Sequence, residues 1–251
     1  MSNMQPVITV ENLTMAFGSF VVQRELNFTI NRGDIFIIMG GSGCGKSTLM
    51  NHLIGLQRPA AGQVFYGDES YWHASPERQH QLKQQIGVMY QSGAMWSSMT
   101  LSENIALLLE QYTDLNRERI REVVALKLAL VGLSGFEDYY PSEISGGMLK
   151  RAGIARAMAM DPEILFFDEP SAGLDPISAR NLDDLILQLR DSLGTTMVMV
   201  THELASIFAV GSNSVFLDAE AKTMIASGNP ETLLQESENP IVKAFLTRGE
   251  I

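Results

Sequence analysis

The chain has 251 residues, 45% hydrophobic and 19% charged, which is enough apolar material for a sizeable core and fits one elaborated domain or a core with one insertion. With 29 Asp and Glu against 18 Lys and Arg, its formal net charge of −11 argues against a general nucleic-acid binder, whose surface must neutralise phosphates. A single cysteine, Cys44, excludes an internal disulfide and reads as a small packing residue in a reducing compartment. No apolar run approaches the roughly 20 residues needed to cross a bilayer, and residues 1–7 lack a basic region followed by an apolar core, so a soluble, cytoplasmic chain is expected.

From Val7 to Ile30 polar and apolar residues alternate, and Asn31-Arg32-Gly33-Asp34 carries turn chemistry, so short, partly exposed antiparallel strands are expected. Phe17, in Ala16-Phe17-Gly18, sits in a turn-like setting where an aromatic could stack on a planar ring; periodicity alone favours ordinary strand packing.

The first chemistry lies between Ile35 and Ile54. An apolar run, Ile35 to Met39, meets Gly40-Gly41-Ser42-Gly43-Cys44-Gly45-Lys46-Ser47-Thr48, followed by Leu49, Met50, Leu53 and Ile54 and closed by Gly55. Gly40, four residues, then Gly45-Lys46-Ser47 is the phosphate-binding loop pattern, in its proper context of a buried strand before and a helix after. Glycines let successive N–H groups curl around a polyphosphate, and the new helix points its positive end at the same anion. Lys46 is then the cation for the β- and γ-phosphates, and the Ser47 hydroxyl a ligand for Mg2+.

Gly62 to Tyr71 reads as a strand and turn, Pro76 to Gln85 as a polar helical piece, and Ile86 to Tyr90 as an apolar strand ending at Gln91. Sheets of this kind place ligands at strand carboxyl ends, yet by itself Gln91 is equally a site residue or a loop cap. Ala94, Met95, Trp96 and Met99 follow as an apolar patch, either core or interface. Leu101 to Leu133 turns helical, with Ile105, Leu107, Leu108 and Leu109 in one segment and Ile120, Val123, Val124, Leu128 and Val131 in the next. Residues 92–160 form a candidate inserted helical subdomain, closing with Pro141-Ser142-Glu143-Ile144-Ser145-Gly146-Gly147 and a small-residue helix, Met148 to Met160, stopped by Asp161-Pro162.

Ile164-Leu165-Phe166-Phe167 is a strand buried on both faces, so the carboxylates that end it, Asp168 and Glu169, are not packing residues. Asp168 is placed to hold Mg2+ through water, and Glu169 to orient an attacking water and accept its proton. Asp175-Pro176 opens a helix with a stripe of Leu182, Leu185, Ile186, Leu189 and Leu193, ended by Gly194. Thr196 to Val200 is another buried strand, and His202 follows it, where a histidine is either structural or a reader of the γ-phosphate. Val215-Phe216-Leu217 and Met224-Ile225-Ala226 look like closing edge strands. The tail, 230–251, carries helical signals and no recognisable chemistry. His52, His73 and His80 lack metal-ligand spacing.

In this order, the phosphate loop, Gln91, Ser145-Gly146-Gly147, Asp168-Glu169, Asp175 and His202 resemble the motifs of ABC transporter nucleotide-binding subunits across essentially the whole chain. Gln91-Ser92-Gly93-Ala94-Met95, Pro141 to Met148 and Phe167 to Pro170 further resemble the Mla/Mce-type lipid transporters. The resemblance implies a single nucleotide-binding domain, 1–251, of α/β class, with a RecA-like P-loop NTPase core, an N-terminal antiparallel β subdomain and an inserted helical subdomain. It implies a head-to-tail homodimer holding two ATP, each between one subunit's phosphate loop and the other's Ser145-Gly146-Gly147. On this carry-over Phe17 stacks on adenine, Gln91 senses Mg2+ and the attacking water, Asp175 couples the two sites, and His202 contacts the γ-phosphate. The implied partners are an integral-membrane permease and an Mce-domain lipid-binding protein, at the cytoplasmic face of a bacterial inner membrane. Met148 departs from the usual glutamine after the two glycines, as the Mla/Mce type tolerates. A polar-solute importer is the second reading and a soluble, non-transport ABC ATPase the third; one cassette, no sustained heptads and negative charge weigh against the last.

Overall fold

In the computed structural model, which describes residues 5–91 and 93–248, ten strands and nine helices follow one another among the described residues. They are β1 (Pro6–Phe17), β2 (Phe20–Asn31), β3 (Ile35–Gly40), α1 (Lys46–Leu53), β4 (Ala61–Tyr66), β5 (Glu69–Ser70), α2 (Pro76–Gln84), β6 (Ile86–Met89), α3 (Leu101–Tyr112), α4 (Arg117–Leu130), α5 (Gly146–Ala157), β7 (Ile164–Asp168), α6 (Pro176–Leu193), β8 (Thr196–Val200), α7 (Leu204–Val210), β9 (Asn213–Asp218), β10 (Thr223–Ser227), α8 (Pro230–Glu236) and α9 (Pro240–Leu246). The chain divides into two compact units, residues 1–83 with 196–251, and residues 84–195.

The first unit carries an antiparallel sheet in the order β2-β1-β4-β5. Ile8, Val10, Leu13 and Met15 on β1 and Leu26, Phe28 and Ile30 on β2 face inward, as the alternation requires. The two strands run 12 residues each rather than the short segments expected from sequence. Register shifts keep their inward faces aligned, with Asn12 held at φ 47 by its N–H to the Asn27 Oδ1. The Phe28 ring stacks on Phe36 of β3 at 5.3 Å and joins this sheet to the strand carrying the phosphate loop. β3 is buried at every position and pairs in parallel with both β8 and β9. β9 is therefore an interior strand between β3 and β10, not an edge; only β10 of the two C-terminal strands closes that side. The tail folds onto β9, with Phe245 edge-on to Phe216 at 5.0 Å and Val242 and Leu246 buried. Asn229 and Asn239 cap α8 and α9, each followed by proline at the first helical position.

In the second unit β6 and β7 pair in parallel, Ile86 against Ile164 through Met89 against Phe167. Helices α3, α4 and α5 come between them in sequence. A Cβ on Gly87 would lie 2.2 Å from the Ala157 carbonyl oxygen, so glycine there lets α5 close against β6. Thr100 and Glu103 form a capping box on α3, Asn116 caps α4, and Ser145 caps α5 through its bond from Met148 N–H. α5 ends at Ala157, short of the expected Met160, because the chain leaves the helix at Met158 and turns at Asp161, φ 49. α6 buries Leu182, Leu185, Ile186 and Leu189, each contributing about 1.5–3 kcal/mol on burial, and ends on left-handed Gly194. Leu193, counted in that stripe from spacing, is exposed in the last turn.

Candidate active site

The phosphate loop connects the carboxyl end of β3 to α1 in the first unit. Gly40 adopts φ 142, and a Cβ there would lie 2.2 Å from the Leu217 carbonyl oxygen, so glycine alone permits the chain to leave β3 in this direction. Gly41, Ser42, Gly43 and Ser47 are exposed, Lys46 and Thr48 half-buried, and α1 starts at left-handed Gly45 with no side-chain cap. The Lys46 ammonium donates to the Gly40 and Gly41 carbonyls, both at 3.0 Å, and is thereby held over the loop. Cys44 is buried, and burial pushes its thiol upward against the opposing pull of Lys46, which suits packing rather than reactivity.

The loop rests on a residue that sequence reading passed over. Gln23 of β2 is fully buried and donates from Nε2 to the Cys44 carbonyl at 2.7 Å and the Asp218 carbonyl at 2.9 Å, tying the loop to β2 and to the end of β9. Its signal was available: a glutamine at an inward position of an alternating strand. At the tip of the β1–β2 hairpin Phe17 pairs with Phe20; both rings are exposed, Phe17 by 56%, so Phe17 is not strand packing. The Lys222 ammonium lies 5.0 Å from the Phe20 centroid. β8 runs beside β3 with Val200 opposite Ile38, so Gly40 and His202 leave neighbouring strands at the same edge. The His202 side chain is exposed, with Nε2 3.7 Å from the Glu203 carboxylate.

In the second unit the register of β6 on β7 brings Gln91 and Asp168-Glu169 out side by side. Asp168 and Glu169 are half-buried, and Glu169 has φ 49, an uncommon conformation for a non-glycine residue that clusters at functional positions. Lys150 of α5, 7% exposed, donates to the Gln91 carbonyl and, at 3.4 Å, to the Glu169 carbonyl. Burial lowers its pKa, while Glu169 and Asp168 pull the other way. Burial together with Asp168 raises the Tyr90 hydroxyl. Ser145 and Gly146 are exposed and Gly147 half-buried at the start of α5. Asp175 caps α6, accepting from Ile177 N–H at 3.0 Å and Ser178 N–H at 3.1 Å, and its bonds with Ser178 hold its carboxyl below the usual range.

Ser92 lies outside the described residues. Beyond it Trp96 is 57% exposed, whereas Ala94, Met95 and Met99 are half-buried. This loop is organised by Asn104, fully buried on α3, which accepts from Trp96 N–H at 2.7 Å and donates to the carbonyls of Trp96, Met99 and Thr100. Neither Asn104 nor Lys150 stood out in sequence, since a polar residue in a helix ordinarily faces solvent.

A family profile described as ABC transporter matches residues 23–172. The chain belongs to the ABC transporter family. It is 38% identical over 97% of its length to a protein of Mycobacterium tuberculosis named probable ribonucleotide transport ATP-binding protein mkl, covering 67% of that relative. It is 36% identical over 98% of its length to the intermembrane phospholipid transport system ATP-binding protein MlaF of Haemophilus influenzae, covering 92% of that relative. Among solved structures it resembles cbiO1 of Clostridium perfringens, part of the ABC transporter complex cbiONQ, with TM-score 0.85 and 26% identity over 93% of this chain and 92% of the other. It also resembles a dimeric post-hydrolysis state of the ATP-binding cassette MJ0796 bound to ADP and Pi, with TM-score 0.78 and 26% identity over 88% and 98%. The ABC subunit has the α/β fold of these cassettes, binds ATP and couples its hydrolysis to transport. No helix among its described residues is long and apolar enough to cross a membrane.

Proposed function

We propose that this ABC ATPase drives the movement of phospholipid or another lipid between the inner and outer membranes of a bacterium, working on the cytoplasmic face with a separate permease and an Mce-domain protein. The observation that supports the reading is the MlaF relative itself, named for intermembrane phospholipid transport and 36% identical over 98% of this chain. The mkl name supports a second reading, transport of a polar solute, for which no residue of a motor subunit would speak because the motor does not touch cargo.

In this reading two copies pair head to tail, and each ATP lies between one copy's phosphate loop and the other's Ser145-Gly146-Gly147. Phe17 stacks on the adenine, which its exposed ring allows. The N–H groups of Gly40 to Thr48 surround the phosphates, and Lys46 shifts its ammonium from the loop carbonyls to the β- and γ-phosphates. Ser47 in one unit, and Gln91 and Asp168 in the other, carry hydroxyl, amide and carboxylate oxygens, the hard donors that Mg2+ takes. Bound there, Mg2+ would neutralise charge developing on the β- and γ-oxygens. Glu169 accepts a proton from water as the water oxygen bonds to the γ-phosphorus and the bond to the ADP oxygen breaks, while His202 donates to the γ-phosphate. Asp175, already fixed as a helix cap, faces the partner copy.

The cargo is tested by purifying the chain with its tagged membrane partner and identifying co-purified molecules by mass spectrometry, with ATP-dependent phospholipid transfer between vesicles as the functional arm. Bound phospholipid and ATP-dependent transfer support the reading. ATP-dependent ribonucleotide uptake without lipid transfer overturns it.

A further inference from the structure

Two lysines in the second unit are almost wholly buried, and they are used differently. Lys127 of α4, 3% exposed, pairs with the carboxylate of Asp161, an ordinary ion pair with its acid at the surface. Lys150 is spent on backbone instead: its ammonium bridges the carbonyls of Gln91 and Glu169. Gln91 follows β6 and Glu169 follows β7, and Lys150 is the fifth residue of the helix capped by Ser145. The Glu169 carbonyl also accepts from Ala172 N–H at 3.2 Å, so the left-handed turn at Glu169 is closed by one bond from its own loop and one from α5. A buried ammonium bound to carbonyls is costly to desolvate and persists only where those contacts are well satisfied.

We propose that Lys150 is a positioning residue for ATP hydrolysis. By holding the carbonyls of Gln91 and Glu169 together it fixes the backbone from which the Glu169 carboxylate and the Gln91 amide project, and it makes those two groups move as one body with the helix that bears Ser145-Gly146-Gly147. The proposal rests on the assignment of Glu169 as the base that takes the proton of water.

The test uses the full chain assembled with its membrane partner and compares Lys150→Met, Lys150→Gln, Lys150→Arg, Lys127→Met and Glu169→Gln for ATP binding, KM, kcat and thermal unfolding. Misplacing a reacting group by about 1 Å costs about 100-fold, so Lys150→Met and Lys150→Gln should lose kcat on that scale with KM and ATP binding little changed, and Lys150→Arg should restore most of the turnover. Lys127→Met should lower the unfolding temperature and leave kcat alone. Normal kcat in either neutral Lys150 variant, failure of both to fold, or loss of ATP binding in parallel with kcat would overturn the proposal. Turnover kept by Glu169→Gln overturns the base assignment itself, whereas turnover lost by Glu169→Gln and kept by Lys150→Met overturns only the positioning role.

Discussion

His52 lies on the inner face of α1, 1% exposed, with Nδ1 2.7 Å from the Gln57 carbonyl. A carbonyl can only accept, so Nδ1 carries the proton and the buried Nε2 is the basic nitrogen, with no hydrogen-bond partner. Burial lowers the His52 pKa, opposed by the bond to Gln57. The unfolded chain therefore binds this proton more readily than the folded one, and the stability His52 contributes is complete above its ordinary value near 6.5 and declines as pH falls below it. Urea unfolding of wild type and His52→Gln should show a stability difference that is constant from pH 8 to 7 and shifts against wild type toward pH 5. A difference that stays flat across this range would contradict a buried neutral imidazole. At this scale the sequence marks Lys46, Asp168 and Glu169 as candidates, because a charge beside a buried strand has few structural uses. It concealed Gln23, Lys150 and Asn104, which act on backbone carbonyls and N–H groups far away in sequence; their partners exist only once the chain has folded.

The helices were legible where caps and stops were written in side chains, as with Asp175-Pro176 and Gly194 around α6. α5 was harder, since the helical residues Met158 to Met160 are pulled out of the helix by the turn at Asp161. The place of β9 was harder still: Val215-Phe216-Leu217 reads as apolar whether it closes a sheet or lies inside one, and only its pairing with β3 decides. The loop between β6 and α3 shows what an element can offer a partner. Asn104 fixes its backbone with four hydrogen bonds, so the exposed indole of Trp96 is presented on a rigid base, the kind of preorganised anchor that dominates interfaces. Substituting Trp96 with Glu should leave folding and ATP binding of the isolated chain unchanged, since the ring is more than half exposed, and abolish co-purification with the permease. Unfolding of the isolated chain, or intact co-purification, would show that the loop serves the core or nothing at all.

For the whole molecule the decisive quantity is self-association. Each chain carries a formal charge of −11, so two copies repel over the screening length, and in the head-to-tail reading the contacts to bound nucleotide oppose that repulsion. The phosphate loop belongs to one compact unit and the Ser145-Gly146-Gly147 turn to the other, and in the head-to-tail reading ATP is grasped by the first from one copy and by the second from its neighbour. In the same reading hydrolysis removes the γ-phosphate that both copies hold, and the pair separates and moves the proposed membrane partner. Sedimentation velocity on the Glu169→Gln chain with MgATP, with MgADP and without nucleotide tests this most directly, with Lys46→Ala in MgATP alongside. Glu169→Gln should form a dimer in MgATP alone and stay monomeric in MgADP and without nucleotide, as should Lys46→Ala in MgATP. A dimer that forms without nucleotide, or a Glu169→Gln chain that binds ATP and stays monomeric, would contradict it.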